Sequence, residues 1–122
     1  NGNLQAGRAS LTWRGVAAHD GVARYRMAAV GDEQGQRIIF AGGGDNPYNY
    51  DGIGYDGVAA EPADDFIAYD LKSDSWQQLG RLARPSMDHR GLIKIGSEYY
   101  IIGGMDGDQQ VTDRIVKFRI AN

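Results

Sequence analysis

The residues best suited to binding chemistry are concentrated in one tyrosine-rich segment. Between Asp45 and Pro62 the chain places Tyr48, Tyr50 and Tyr55 among Asn, Asp and Gly residues. Recognition surfaces favour this composition, because tyrosine gives a large rigid contact area and the small polar residues adapt their hydrogen bonds. We predict that the three tyrosines contact a ligand. The alternative is a mobile connecting loop with no ligand.

The same segment contains a partial match to a calcium loop. Asn49, Asp51 and Gly52 follow the EF-hand pattern, but the first ligand position would be Pro47 and the twelfth Val58. Neither side chain offers an oxygen, so the match fails and no metal site is predicted. The chain has no cysteine, which excludes disulfides, thiolate nucleophiles and cysteine-ligated zinc. No cofactor is expected.

Arginine and histidine residues form a second group of candidates. The net charge is −3, yet one set of connecting segments is rich in cations: Arg14, His19, Arg24, Arg26, Arg81, Arg84, His89 and Arg90. Such a local concentration favours an anionic group. We select Arg24, Arg84 and His89 as binding residues. The pair Asp88-His89 is too common to indicate a catalytic dyad, so no catalytic residue is assigned.

The elements that must position these residues are β-strands. Short runs at 38–41, 66–69, 99–102 and 115–118 are rich in β-branched and aromatic residues, and glycines or polar turns follow them. Their length is typical of strands, and no window shows a sustained helical period. Several runs are apolar at consecutive positions, which indicates sheets buried on both faces. The sequence therefore predicts an all-β chain.

These strands recur along the chain. Trp13 and Trp76 lie 63 positions apart, and the glycine pair at 42–43 returns 61 positions later at 103–104. Arg26 and Arg90 also recur, 64 positions apart, which favours a structural role for both. Segments 64–70 and 113–119 align at a spacing of 49, because the loop after the first glycine pair is 12 residues longer. Without that insertion the unit has about 50 residues, a period typical of propellers and solenoids.

The order of these features resembles the kelch repeat. A kelch unit has a glycine pair after a four-residue apolar strand, then a strand ending in Tyr-Asp, then a turn and a Trp. The first unit has all three at 38–43, 69–70 and Trp76. The second has the glycine pair at 103–104, carries Phe118-Arg119 in place of Tyr-Asp, and stops before any Trp. The resemblance covers residues 10 to 120.

The resemblance implies kelch-type β-propeller blades, each of four antiparallel strands a to d. Residues 1–122 would hold two blades' worth of strands in the order d-abcd-abc. Residues 10–14 would be the outer strand of an adjoining blade. Residues 24–80 would be the first blade, with strands near 27–30, 37–41, 65–69 and 75–79 and a long b–c loop at 45–63. Residues 85–120 would be the second, with strands near 91–95, 99–102 and 114–120 and no outer strand of its own.

Two blades cannot close a ring, because known propellers have about four to eight. The chain is therefore expected to be part of a larger ring. One form is a piece of a longer propeller. The other is self-association, in which several copies each lend residues 10–13 to a neighbour.

Members of the kelch family that this chain resembles bind proteins or peptides through loops on one face of the propeller. The resemblance implies a binding or scaffold module whose ligand contacts the Tyr-rich 45–62 loop and the Arg-bearing d–a segments. The ligand would be a protein or peptide, or an acidic small molecule or sugar. The alternative is part of a sugar-active enzyme such as a sialic-acid epimerase or mutarotase, which leaves enzymatic activity an open question.

The bulk properties exclude other classes of partner. The isoelectric point is about 5.2 and no basic stripe is present, so nucleic acid is not expected as a ligand. No apolar run has the length needed to span a bilayer, so no membrane partner is predicted. The sequence indicates a soluble chain of unknown location, and an extracytoplasmic one is compatible with it.

Overall fold

Seven β-strands in two antiparallel sheets make up the computed structural model, which describes residues 9–121. The strands are β1 (Ala28–Asp32), β2 (Arg37–Ala41), β3 (Ala63–Asp70), β4 (Ser75–Ser86), β5 (Ile93–Ile95), β6 (Glu98–Ile102) and β7 (Ile115–Phe118). The first sheet has the order β1-β2-β3-β4 and the second β5-β6-β7. The predicted all-β class is confirmed. No helix in the described range could cross a membrane.

All seven strands predicted for residues 24–120 are observed, but β3 and β4 are longer than predicted and β5 and β7 are shorter. β2 has the predicted bounds, whereas β4 continues to Ser86 instead of ending at Leu79. The reason lies in β3, which begins at Ala63 and therefore offers partners further along β4: Asp65 pairs with Arg81, and Ala63 with Ser86. The pairing continues across two register shifts, one between Ala63 and Asp65 and one between Phe66 and Ile67.

Residues 10–14 belong to no strand in the single chain. Residues 14–17 contact β4 and the turn before it, at the outer edge of the first sheet. Arg14 forms an ion pair with Asp74 at 2.9 Å, and the Trp76 indole donates a hydrogen bond to the Ala17 carbonyl at 2.6 Å. Pairing of residues 10–14 with an adjoining blade stays a prediction.

Each sheet has two faces, which we call front and back. The front of the first sheet is formed by Ala28, Val30, Ile39, Ala41, Phe66 and Ala68. The back of the second sheet is formed by Tyr99, Ile101, Val116 and Phe118. These two faces pack together as the main hydrophobic core. Phe66 and Phe118 meet edge to face at 4.8 Å, and the Leu92 amide donates to the Ala29 carbonyl at 3.1 Å.

The sheets share one end, which we call the top, where β2 and β6 finish. The 45–62 loop leaves the first sheet here, and the segment from β4 to β5 crosses the same end. Backbone hydrogen bonds join them: the Gly43 amide donates to Ser86 O at 2.9 Å, and the Tyr25 amide to Gly44 O at 2.7 Å. The 45–62 loop, the β4–β5 segment and the residues just before β1 therefore meet at the top.

Candidate functional site

The 45–62 loop folds back on itself as a small ordered unit. Isolated bridges pair Tyr48 with Gly54 and Ile53 with Ala59. The Gly54 amide donates to Val58 O at 2.7 Å. Because the loop satisfies these backbone groups internally, it holds its own shape above the sheets.

Side chains reinforce this fold. The Asn46 amide group donates to Asp56 Oδ1 and to Val58 O, both at 2.9 Å. The loop also contacts the second repeat, since Gln109 Nε2 donates to the Ala60 carbonyl at 3.1 Å. The loop is therefore fixed both internally and by the connection between β6 and β7.

Tyr48 is the anchor of the loop, and its position inside the loop does not favour the ligand contact predicted for it. Its side chain is fully buried, in a second cluster with Ala60, Met87 and Met105. The Tyr25 hydroxyl donates to the Tyr48 carbonyl at 3.0 Å. The Tyr48 hydroxyl has no hydrogen-bond partner within residues 9–121. Burial raises the pKa of Tyr48 to about 12.

Tyr50 and Tyr55 lie on the outside of the loop, as a surface role requires. Their side chains are 76% and 77% exposed. Val58, further along the same loop, is also exposed. The buried Tyr48 and the bridges around it hold this segment in place, so the two exposed tyrosines project from a fixed backbone.

Arg24 was expected to contact an anionic ligand, but the structure pairs it within the chain. Its Nε and Nη2 atoms lie 3.1 and 3.0 Å from Asp65 Oδ2. Arg81 is bound similarly, with Nη1 at 2.6 Å from Asp64 Oδ1. Both guanidinium groups therefore have a carboxylate partner that competes with any external anion, and the assignment of Arg24 as a ligand contact is not supported.

Arg26 and Arg90 converge on one carboxylate. Their Nη1 atoms lie 3.1 and 2.9 Å from Asp88 Oδ1. Both arginines thus have a partner within the chain, but the bridges of Tyr25 and Met87 make Asp88, and not Arg90, the equivalent of Arg26. Arg14 and His19 do not join the top at all, because they lie against the Asp74 turn and the Trp76 ring at the opposite end of β4.

His89 is buried between the repeats rather than presented to a ligand. It is 5% exposed, and its Nε2 lies 2.8 Å from the Ser86 hydroxyl. A Cβ added to Gly104 would come within 2.6 Å of the imidazole, so this glycine makes room for the ring. Burial lowers the pKa of His89, which favours the neutral form. The binding role predicted for His89 stays a prediction, and this burial does not favour it.

Arg84 is the predicted cation that does remain available. It is exposed and has no ion pair within residues 9–121. Together with Arg114 it lines a cavity of about 160 Å³ between β4 and the second sheet, whose floor is Leu82, Ile101 and Val116. The two arginines also line a neighbouring depression beside Pro62 and Asp106.

Arg114 was missed by the sequence analysis, and its lack of a partner has a structural cause. It occupies the position that Asp65 has in the first repeat: the Gly42 amide donates to Asp65 O at 3.0 Å, and the Gly103 amide to Arg114 O at 2.9 Å. The bridges of Tyr25 to Gly44 and of Met87 to Met105 are likewise equivalent.

By that equivalence, Ser86 takes the place of Arg24 in the second repeat. Arg24 and Asp65 form an ion pair in the first repeat, whereas the equivalent residues of the second repeat, Ser86 and Arg114, do not. Arg114 has no carboxylate partner in the described chain. The alignment of the repeats at a spacing of 49 already placed Arg114 opposite Asp65, and that charge reversal was the available signal.

Within the described residues, no group of three or more His, Asp or Glu side chains is placed to hold a metal ion. Comparison of the sequence with protein-family models gives no match, and comparison with curated proteins gives none either. The case for a function therefore depends on the geometry of the top.

Proposed function

We propose that this chain is a pair of kelch-type propeller blades that binds a protein or peptide through its top. The aromatic contacts are Tyr50 and Tyr55 on the 45–62 loop, and the charged contact is Arg84. The observation that carries the proposal is the burial of Tyr48, which fixes the loop while Tyr50 and Tyr55 stay exposed.

Two features support the propeller part of the proposal. The sheets contain four and three strands, in the sequence expected for strands a-b-c-d and a-b-c. They also pack front to back through aromatic and aliphatic side chains, as neighbouring blades do.

A pre-ordered loop supports the binding part. Association is costly when it must immobilise flexible side chains and loops, and a loop already held by hydrogen bonds avoids most of that cost. Tyrosine is among the residues that contribute most to binding energy at protein interfaces. Two exposed tyrosines on a fixed backbone therefore suit recognition better than a passive connection.

The sugar-active enzyme is less well supported. Such a reaction needs an acid or base that a substrate can reach, at hydrogen-bonding distance. No catalytic residue was assigned, and His89, which could exchange a proton, is enclosed by Gly104 and Ser86. Arg24 is occupied by Asp65. An acidic sugar could still meet Arg84, so it serves as a second probe in the test.

The test is selection of peptides from a random displayed library against the immobilised full chain. Affinities of the selected peptides are then measured by fluorescence polarisation with a Tyr50→Ser/Tyr55→Ser variant. We expect at least a tenfold rise in Kd, because the variant removes both aromatic contacts. Leu71→Ser is the matched control, since Leu71 is exposed in the turn at the opposite end.

Peptides that bind wild type and the tyrosine variant equally well would contradict the proposal. Titration with N-acetylneuraminate, followed by NMR, supplies the other arm. Failure to select any peptide, with sugar-dependent shifts at Arg84, would replace the protein partner by an acidic sugar.

A further inference from the structure

The cavity between β4 and the second sheet combines an apolar floor with two arginines that form no ion pair in the described chain, although Glu61 and Asp106 line the adjoining depression. Leu82, Ile101 and Val116 form the floor, and Arg84 and Arg114 lie at its edge. Arginine recognises a carboxylate through paired hydrogen bonds from its planar guanidinium. An apolar floor adds selectivity for an organic group over a hydrated inorganic anion.

We propose that this cavity is a binding subsite for a carboxylate attached to a short branched aliphatic group. This deepens the proposed function, since the C-terminal carboxylate of a peptide ending in Leu or Val carries this chemistry, as does a free branched-chain acid. The loss of the Arg24–Asp65 type of ion pair in the second repeat is the feature that frees Arg114 for this role.

The probe is 4-methylpentanoate, titrated into the ¹⁵N-labelled full chain and followed by NMR. We expect millimolar binding with shifts at Ser86, Gly103 and Thr112, which line the cavity. Arg114→Gln is expected to weaken binding at least tenfold. Lys117→Gln is the matched control, because Lys117 is a cation on β7, three residues after Arg114, and lies on the face of the sheet opposite Val116.

Two further probes separate the contribution of the carboxylate charge to binding from that of the aliphatic group. The uncharged 4-methylpentanamide should bind at least tenfold more weakly, and so should inorganic phosphate. Equal binding of the amide, equal binding of phosphate, or no effect of Arg114→Gln would each overturn the subsite. None of these results depends on Tyr50 or Tyr55, so the subsite can fail while the peptide-binding proposal stands.

A different observation concerns the front of the second sheet, which is an exposed apolar surface. It carries Ile93, Ile95, Ile102 and Ile115, whose side chains are between 43% and 66% exposed. Ile102 and Ile115 are direct cross-strand partners, and Ile93 is paired with Tyr100. Four exposed isoleucines on one small sheet exceed the scattered apolar residues that are normal on a surface.

The equivalent surface of the first sheet is buried. Ile115 corresponds to Phe66. Phe66 follows Asp65, whose carbonyl accepts a hydrogen bond from Gly42, and Ile115 follows Arg114, whose carbonyl accepts the equivalent bond from Gly103. Ile102 corresponds to Ala41, since each is the last strand residue before that pair. Phe66 and Ala41 are both covered by the back of the second sheet. The front of the second sheet is therefore equivalent to the front of the first sheet, but no other sheet of the described chain packs on it.

We propose that this surface docks the back of the first sheet of a second copy. That back face is the counterpart of the surface that covers Phe66. Ile38 and Phe40 on it are partly exposed, whereas their cross-strand partners Tyr69 and Ile67 are buried within the chain. The contact is heterologous, because front meets back, and it repeats the packing already present within one chain. The same approach brings the neighbour's residues 10–13 toward the unpaired edge of β7.

Sedimentation of the full chain over a range of concentrations tests this contact. We expect a mass above the 13.3 kDa of one chain, reaching two to four copies. An Ile102→Lys/Ile115→Lys variant should be monomeric at the same concentrations. Val111→Lys is the control, because Val111 is also exposed but lies outside the sheet. A monomeric wild type would overturn the proposal.

Mixing separates front-to-back from front-to-front contact. The lysine variant keeps an intact back face, so a labelled sample should still bind wild type and cap its assemblies. In a front-to-front contact the variant would bind nothing. Absence of the labelled variant from wild-type assemblies would therefore overturn the heterologous arrangement, even if wild type self-associates.

Discussion

Arg26 and Asp88 occupy equivalent positions in the two repeats and form an ion pair with each other at 3.1 Å. Arg26 follows Tyr25, which forms an isolated bridge with Gly44. Asp88 follows Met87, which forms the equivalent bridge with Met105. Both have a positive φ, 55° for Arg26 and 66° for Asp88. The repeats are thus joined by one side chain from each, next to the hydrogen bond from the His89 amide to Arg26 O.

We expect Asp88→Asn to lower the free energy of unfolding by about 1–2 kcal/mol, because it removes the charge that Arg26 and Arg90 share. Asparagine tolerates positive φ, so the backbone should not add strain. Urea unfolding provides the measurement. Arg90→Ala is the comparison, and with its side chain 73% exposed it should cost at most about 0.5 kcal/mol. A larger loss for Arg90→Ala than for Asp88→Asn would contradict this assignment.

Tyr48→Phe should leave the chain equally stable or stabilise it by up to about 1 kcal/mol. The substitution keeps the buried ring and removes a hydroxyl that has no partner in the described chain. The raised pKa also has a consequence at high pH. The folded state resists ionisation of Tyr48, so stability is lost as the pH rises from about 10 toward 12.

Urea unfolding at pH 7 and at pH 11 would measure both effects. Tyr48→Phe should lose less stability than wild type between these two values. A clear destabilisation by Tyr48→Phe at pH 7 would show that the hydroxyl has a partner that stabilises the fold.

Acid should weaken the fold through His89. Burial holds its folded-state pKa below the ordinary 6.5, so in this range the unfolded chain binds more protons. Stability is therefore expected to fall as the pH is lowered from about 6.5 toward the folded-state value. Urea unfolding between pH 7.5 and 5 should show this slope in wild type and in a His19→Gln control. The same slope in His89→Gln would assign it to another group.

The strands could be predicted from the sequence because their signals are local. Apolar runs of strand length and the glycine pairs fixed β2 and β6 to within one residue of the observed bounds. The length of β4 could not be predicted in this way, because its last residues pair with Asp65 and Ala63 across a register shift. Residues 10–14 form no strand in the single chain, and their pairing with an adjoining blade stays a prediction.

The site was predicted less well, because burial and charge pairing depend on contacts between distant residues. Tyr48, Tyr50 and Tyr55 look alike in sequence, and only packing against Met87 and Met105 separates the anchor from the two surface residues. Arg24 meets a carboxylate 41 positions away. Arg84 was selected on the same grounds, and what distinguishes it is the absence of such a partner in the described chain.

Hydrogen exchange of the 45–62 loop tests the central claim most directly, because the binding proposal requires this loop to be ordered before a ligand arrives. The amides of Gly54 and Ala60 are bonded within the loop at 2.7 and 2.8 Å. We predict that both exchange at least a hundredfold more slowly than in an unstructured peptide, and that Tyr48→Ala abolishes this protection. Exchange at the unstructured rate in wild type would show that the loop is not a fixed platform and would contradict the account.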